Sequence, residues 1–228
     1  VAEGASRAGI TQGVGGNAPE SFITALVNHF RGQANNSSHP FLDISTDQAT
    51  SKLELSRSVD GKRVFNYAVA KVRYRALSTD AQNVQAFFRM FTTAATNLRY
   101  DVNGSYNRTG DWPNSVPLLG KEGGELVSIP FFAAPRINST AGGVSMATQN
   151  DPLNKETIQA IGSDEATEYF GVWLDINQTT PRFPLLPGSS DGPFTGGTQL
   201  TSPKSIQQLV RGLHQCLVAE VRFQPGSN

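Results

Sequence analysis

The tightest constraint in this chain is a two-residue rhythm that recurs along it. In Val64–Arg75, Ala70, Val72 and Tyr74 fall on one side and Lys71, Arg73 and Arg75 on the other. A period of two belongs to an extended strand, and an apolar row backed by a charged row needs a core on one side only. A helix made from the same residues would thread its lysine and arginines through its own apolar stripe. The rhythm returns at Val84, Ala86, Phe88 and Met90, at Phe170, Val172, Leu174 and Ile176, and at Leu217, Ala219, Val221 and Phe223. Val72, Tyr74, Val84, Phe88, Val172, Leu174, Leu217, Ala219 and Val221 are therefore the expected core.

Turn residues punctuate these runs. Asp60-Gly61 precedes the first, Ser78–Asp80 separates the first two, and Asn103-Gly104 follows. A short polar turn between two apolar runs predicts that Val64–Arg75 and Val84–Met90 form a hairpin. Leu126–Phe132 reads as a short strand, and Pro130 within it places it at an edge or a bulge. Three helical pieces are expected. One is opened by Pro19, carries Phe22, Leu26 and Phe30 on one side, and stops at Gly32. A second runs from Asp151-Pro152 to Gly162, and a third starts at Ser202-Pro203.

A pattern of strands, turn signals and a few short helices lacks the regular strand–helix alternation of a doubly wound sheet. It predicts a mainly β chain, an immunoglobulin-like β-sandwich with short helical insertions and long loops. The domain plan is an N-terminal arm over residues 1–18, Gly-rich at Gly13, Gly15 and Gly16, followed by one domain over 19–228. Insertions are expected at about 100–165 and 177–205. At 228 residues the chain can bury a sizeable core without staples. The single cysteine, Cys216, excludes an internal disulfide.

Several segments carry a resemblance. Val64–Phe91, VFNYAVAKVRYRALSTDAQNVQAFFRMF, resembles the central hairpin of bacterial immunoglobulin-like adhesion and CARDB-type domains. His214–Phe223, HQCLVAEVRF, is similar to the last strand of the same domains. IPFFAAPRI, YFGVWLDINQ and LVRGLHQCLVAEVRF also resemble segments of a large group of bacterial proteins. The first resemblance implies a β-sandwich; the second implies no particular activity. The N-terminal helix and the long 100–165 and 177–205 regions depart from a plain seven-strand domain.

Lys plus Arg and Asp plus Glu both number 19, so the formal net charge is zero. Nucleic acid and anionic membrane both reward a basic excess, so neither is the expected partner. No apolar run is long enough to span a bilayer as a helix. Catalytic patterns are present only in fragments. Gly143-Val144-Ser145 is close to a nucleophile elbow, and Ser145, Asp175 and His214 follow the hydrolase chain order. The elbow needs a strand before the serine and a helix after it, and neither context is met. His214 and Cys216 share a strand face, but no second cluster completes a metal site, and Cys216 reads as a small buried hydrophobe. Asp101, Asn103, Ser105, Asn107 and Asp111 space oxygens like a calcium loop, but the glycine falls at the wrong place and Trp112 stands where the bidentate glutamate belongs. N-x-S/T sequons lie at Asn35, Asn36, Asn103, Asn107, Asn138 and Asn177. No catalytic, cofactor or metal residue is assigned.

The expected function is a non-catalytic structural module that self-assembles into a homo-oligomer or filament. Residues 1–18 have too few apolar side chains to fold alone, and a neighbouring copy is the cheapest partner to order them. The Pro- and Gly-rich loop 177–201 is the second expected contact. The alternative is a carbohydrate- or ligand-binding sandwich with Trp112, Tyr169 and Trp173 as a stacking platform. A hydrolase ranks third.

Overall fold

The structure, a computed structural model, describes residues 19–33, 53–91, 100–109, 116–118, 120–122, 125–132, 155–174, 176–177, 207 and 216–225. The described chain is mainly β, and all its strand pairs are antiparallel. One helix, α1 (Pro19–Gly32), opens it at the expected proline. The arm 1–18, the 177–201 loop and the helical turn expected at Ser202 lie outside the described residues, save that Asn177 and Gln207 are placed.

Strands β1 (Ser58–Val59) and β2 (Lys62–Arg63) form a small hairpin around Asp60-Gly61. Both turn residues take positive φ, 49° and 74°. That is the geometry an Asp-Gly turn supplies between right-twisted strands. β3 (Asn66–Tyr74) pairs with β10 (Ala166–Leu174) along its whole length, Asn66 opposite Leu174 and Tyr74 opposite Ala166. β4 (Ala81–Phe91) lies in a separate sheet with the order β11-β4-β8-β7. Its neighbours are β11 (Cys216–Pro225) on one side and β8 (Glu125–Phe132) and β9 (Glu156–Ile158) on the other. β7 (Gly120–Glu122) completes that sheet, and β5 (Arg108–Thr109) with β6 (Val116–Pro117) forms a last small pair.

Two expectations are corrected here. β3 and β4 do not form a hairpin: the connection over residues 75–80 carries the chain from one sheet to the other. The reason is burial. β4 is buried almost throughout, on both faces from Val84 to Phe91, and such a strand needs ladder partners on both edges as well as cover on both faces. Of the helix expected from Asp151-Pro152 to Gly162, the described residues 155–162 are not helical. They contain β9, in which Ile158 is buried against the core, and just past it Ala160 N donates to Asp80 Oδ1 at 2.9 Å. Gly162 is a turn residue at φ 73° rather than a helix stop. Pro130 conforms to its expected place: it pairs with Arg89 of β4, in the half of β8 that lies beyond the residues paired with β7.

The main core joins the two sheets. Ala68 of β3 and Phe170, Val172 and Leu174 of β10 pack in one cluster with Val84, Ala86, Phe88 and Met90 of β4 and Ile129 and Phe131 of β8. Val72 and Tyr74 are partly buried at its margin. A second cluster sits on the other face of β10, where Ile23, Val27 and Phe30 of α1 cover Tyr169. Gly171 permits this close approach: a Cβ there would lie 2.6 Å from Val27 Cγ2 and 2.8 Å from Ile23 Cδ1.

Candidate interaction surface

β11 breaks the expected burial. Leu217, Val221 and Phe223 are 39%, 43% and 41% exposed, and Ala219 between them is exposed as well. Three residues placed in the core from sequence, Leu217, Ala219 and Val221, are thus on the surface. The alternation itself is right. Leu217 pairs with Met90, Ala219 with Phe88 and Val221 with Ala86, so the row faces the same way as the buried row of β4. Among the described residues β11 is the outermost strand of a broad sheet that faces a two-stranded one, and the row there is open. Among the described residues only Phe223 of this row has an aromatic neighbour across the gap, Tyr74, with ring centroids 6.1 Å apart.

The opposite face of β11 is fastened to the protein by ions. Arg89, on β4, has a fully buried side chain. Its Nε donates to Glu220 Oε1 at 2.8 Å, Nη1 to Leu118 O at 2.8 Å and Ser128 Oγ at 3.1 Å, and Nη2 to Asn107 O at 3.2 Å. Arg108 Nη2 donates to Glu220 Oε2 at 2.9 Å. One carboxylate on β11 therefore bridges two guanidinium groups, one from β4 and one from β5. The Arg89 group also lies over the Tyr106 ring and the Arg108 group over Phe87, at 5.5 and 5.2 Å. Burial pulls Arg108 down to about 10, with Arg222 and Arg89 adding to the fall and Glu220 opposing it. Burial also lowers Arg222 and raises the Tyr106 phenol. Glu220 spends both oxygens on arginine donors, so the arrangement is a fastener rather than an acid–base centre.

A second ion clamp holds α1. Arg31, in its last turn, donates from Nε to Glu168 and from Nη2 to Glu156 Oε1 at 2.7 Å, tying the helix end to β10 and β9. Burial opposes the charge on Arg31, but the hydrogen bonds and charges of Glu168 and Glu156 outweigh it and leave its pKa raised.

The residues singled out from sequence fall as follows. Ser145, Asp175, His214, Asp111 and Trp112 lie outside the described residues. Cys216 is free and exposed, not the buried hydrophobe expected, because it ends the uncovered strand. The Asp101–Asn107 run is a turn: Asp101 Oδ1 accepts from Asn103 N, and Asp101 O accepts from Tyr106 N at 2.9 Å. Tyr169 and Trp173 are buried, so neither offers a ring to a sugar from the surface. Lys71 sits over the Tyr169 ring and Arg73 pairs with Glu165 at 3.3 Å. Asn177 is buried and its Nδ2 donates to Ser56 O and Val64 O, which leaves that sequon nitrogen engaged. Among the described residues no cluster of His, Cys, Asp or Glu could hold a metal ion, and no helix is long and apolar enough to cross a membrane.

Arg89 and Glu220 were missed from sequence, yet both leave a trace. Arg89 stands alone in FFRMF, a run apolar on both faces, and a charge there needs a built partner. Glu220 and Arg222 are the only charges in LVAEVRF. No family model, curated protein or solved structure matches this chain.

Proposed function

We propose that this chain is a non-catalytic structural module, built as an immunoglobulin-like β-sandwich, that assembles with further copies of itself. The observation that carries the reading is the exposed apolar row of β11, held rigid from behind by the Arg89–Glu220–Arg108 network. A monomer has no use for leucine, valine and phenylalanine presented in line on an outer strand, whereas a self-associating one does. Zero net charge leaves no long-range repulsion between copies. The arm 1–18 and the loop 177–201 are proposed as additional contacts on the composition argued above.

Light scattering on the full chain tests the reading. The expected particle mass is a multiple of the 24.5 kDa chain. Deleting residues 1–16 should lower it if the arm takes part. A single-copy mass at high chain concentration overturns self-assembly and leaves a ligand-binding module as the better reading.

A further inference from the structure

Resting on that reading, we infer that the tip formed by the connections 75–80 and 159–165 packs against the same tip of a second copy about a twofold axis. Both connections run between the sheets, 75–80 from β3 to β4 and 159–165 from β9 to β10. They are tied side by side: Ala160 N donates to Asp80 Oδ1 at 2.9 Å, and the Tyr74 hydroxyl holds the first of them through Thr79 O at 2.6 Å. Gly162, at φ 73°, turns the second. Each connection lifts one large aliphatic side chain into solvent, Leu77 81% exposed and Ile161 52%. Side chains this open add little to the chain's own core, and two of them on adjoining loops form a patch rather than a scatter of single residues. Tyr74 also meets Phe223, so the tip adjoins the open row of β11.

The charges choose the partner. Arg73 and Glu165 pair with each other at 3.3 Å, and Asp80 is engaged by the facing loop. Two charges remain, Arg75 in the connection that carries Leu77 and Asp164 in the one that carries Ile161. Both are exposed, and neither has a partner among the described residues. An anionic surface would attract Arg75 and repel Asp164, and a cationic one would do the reverse. The row Leu217, Ala219, Val221 and Phe223 carries no charge and would answer neither. A second copy of the tip answers both, because a twofold contact is self-complementary. Laying 75–80 of one copy over 159–165 of the other sets Leu77 against Ile161 twice and Arg75 against Asp164 twice. Apolar side chains meet at the centre and opposite charges at the rim, which is the ordinary anatomy of a protein–protein contact. A patch of this size gives a weak pairing by itself and adds to the contact of the open row.

Charge reversal tests the pairing across chains. Arg75→Glu alone and Asp164→Arg alone each bring like charges together twice. Each should keep the circular dichroism spectrum and need about tenfold more chain for half-assembly in light scattering. The double variant should assemble as wild type does. So should an equal mixture of the two single variants, because in a mixed pair one contact joins the two reversed residues and the other joins the two original ones. Leu77→Ser combined with Ile161→Ser should weaken assembly by a similar factor. Single variants that assemble like a multimeric wild type overturn the tip contact and leave self-assembly standing. Rescue by the double variant but not by the mixture also overturns it, since the two charges then pair within one chain. A single-copy wild-type mass at high chain concentration refutes both.

Discussion

Arg89 and Arg108 bond the same carboxylate, yet their removal should differ widely in cost. Arg89→Met keeps an unbranched body beside Tyr106 and deletes four hydrogen bonds from a side chain with no exposed surface. It strands Leu118 O and one oxygen of Glu220 in a buried site, while Asn107 O keeps the hydrogen bond from Leu118 N. Breaking a buried ion pair by removing one partner costs about 3–5 kcal/mol, and about 4 kcal/mol is expected here. Arg108→Met deletes one bond, to Glu220 Oε2, and also removes a buried Nη1 that has no hydrogen-bond partner. Burial already disfavours the Arg108 charge, which its fall to about 10 expresses. The loss of the bond and the relief of that burial offset each other, and a cost of about 1 kcal/mol or less follows. With a urea m-value of roughly 2 kcal/mol/M, the midpoints of the two variants should differ by more than about 1 M. Equilibrium urea unfolding at pH 7 and one fixed chain concentration measures this. Equal midpoints, or Arg108→Met falling lower than Arg89→Met, would refute the assignment of Arg89 as the fastener.

Other substitutions test other parts of the fold. Phe88→Ala, in the main core, should cost about 3–5 kcal/mol, whereas Leu217→Ser on the open row should cost the single chain under about 1 kcal/mol; similar losses in chemical denaturation at a chain concentration low enough to separate the copies would mean that the row is covered within one chain. Asn83 sits at φ 53° inside the β4 bulge, so Asn83→Gly should be near neutral and Asn83→Val should lose about 1–2 kcal/mol, again by denaturation. Gly171→Ala should push α1 off β10 and cost about 1–3 kcal/mol, with earlier protease cleavage of the helix as the readout. At alkaline pH the sign for Arg108 is fixed by its depressed value: folding is penalised while both states hold the proton, below about 10, and the penalty fades as pH rises from there towards the ordinary guanidinium value. The stability of wild type relative to Arg108→Met should therefore rise between pH 9 and pH 12, and a falling difference would contradict the desolvation account.

What the sequence revealed was local. The proline start and apolar side of α1, the Asp60-Gly61 turn and the phase of β3, β4, β10 and β11 all follow from spacing and turn chemistry. What it concealed depends on partners distant along the chain. The residues between Tyr74 and Ala81 carry turn signals that serve equally for a hairpin or for a passage between sheets. Which one forms is settled by β10 and β11 capturing β3 and β4 separately. Alternation says that Leu217, Ala219, Val221 and Phe223 share a face; whether that face is covered depends on how many strands lie across from it. The Arg89 network needs four segments to meet, and no window of sequence contains them.

The passage of the chain between sheets at residues 75–80 has a consequence for how the molecule is made. β3 finds its ladder partner more than ninety residues later, with Tyr74 opposite Ala166, and β4 finds β11 later still, with Phe91 opposite Cys216. Neither strand can be satisfied by its neighbour in sequence. Closing such long loops before any pairing reward places this fold among the slow, non-local folders. On the ribosome, β4 and its phenylalanines would emerge long before the strand that completes their ladder. The arrival of β11 is therefore the step at which the sheet becomes committed, and a chain cut short of Cys216 would carry a two-faced apolar strand with one bare edge into a crowded cell.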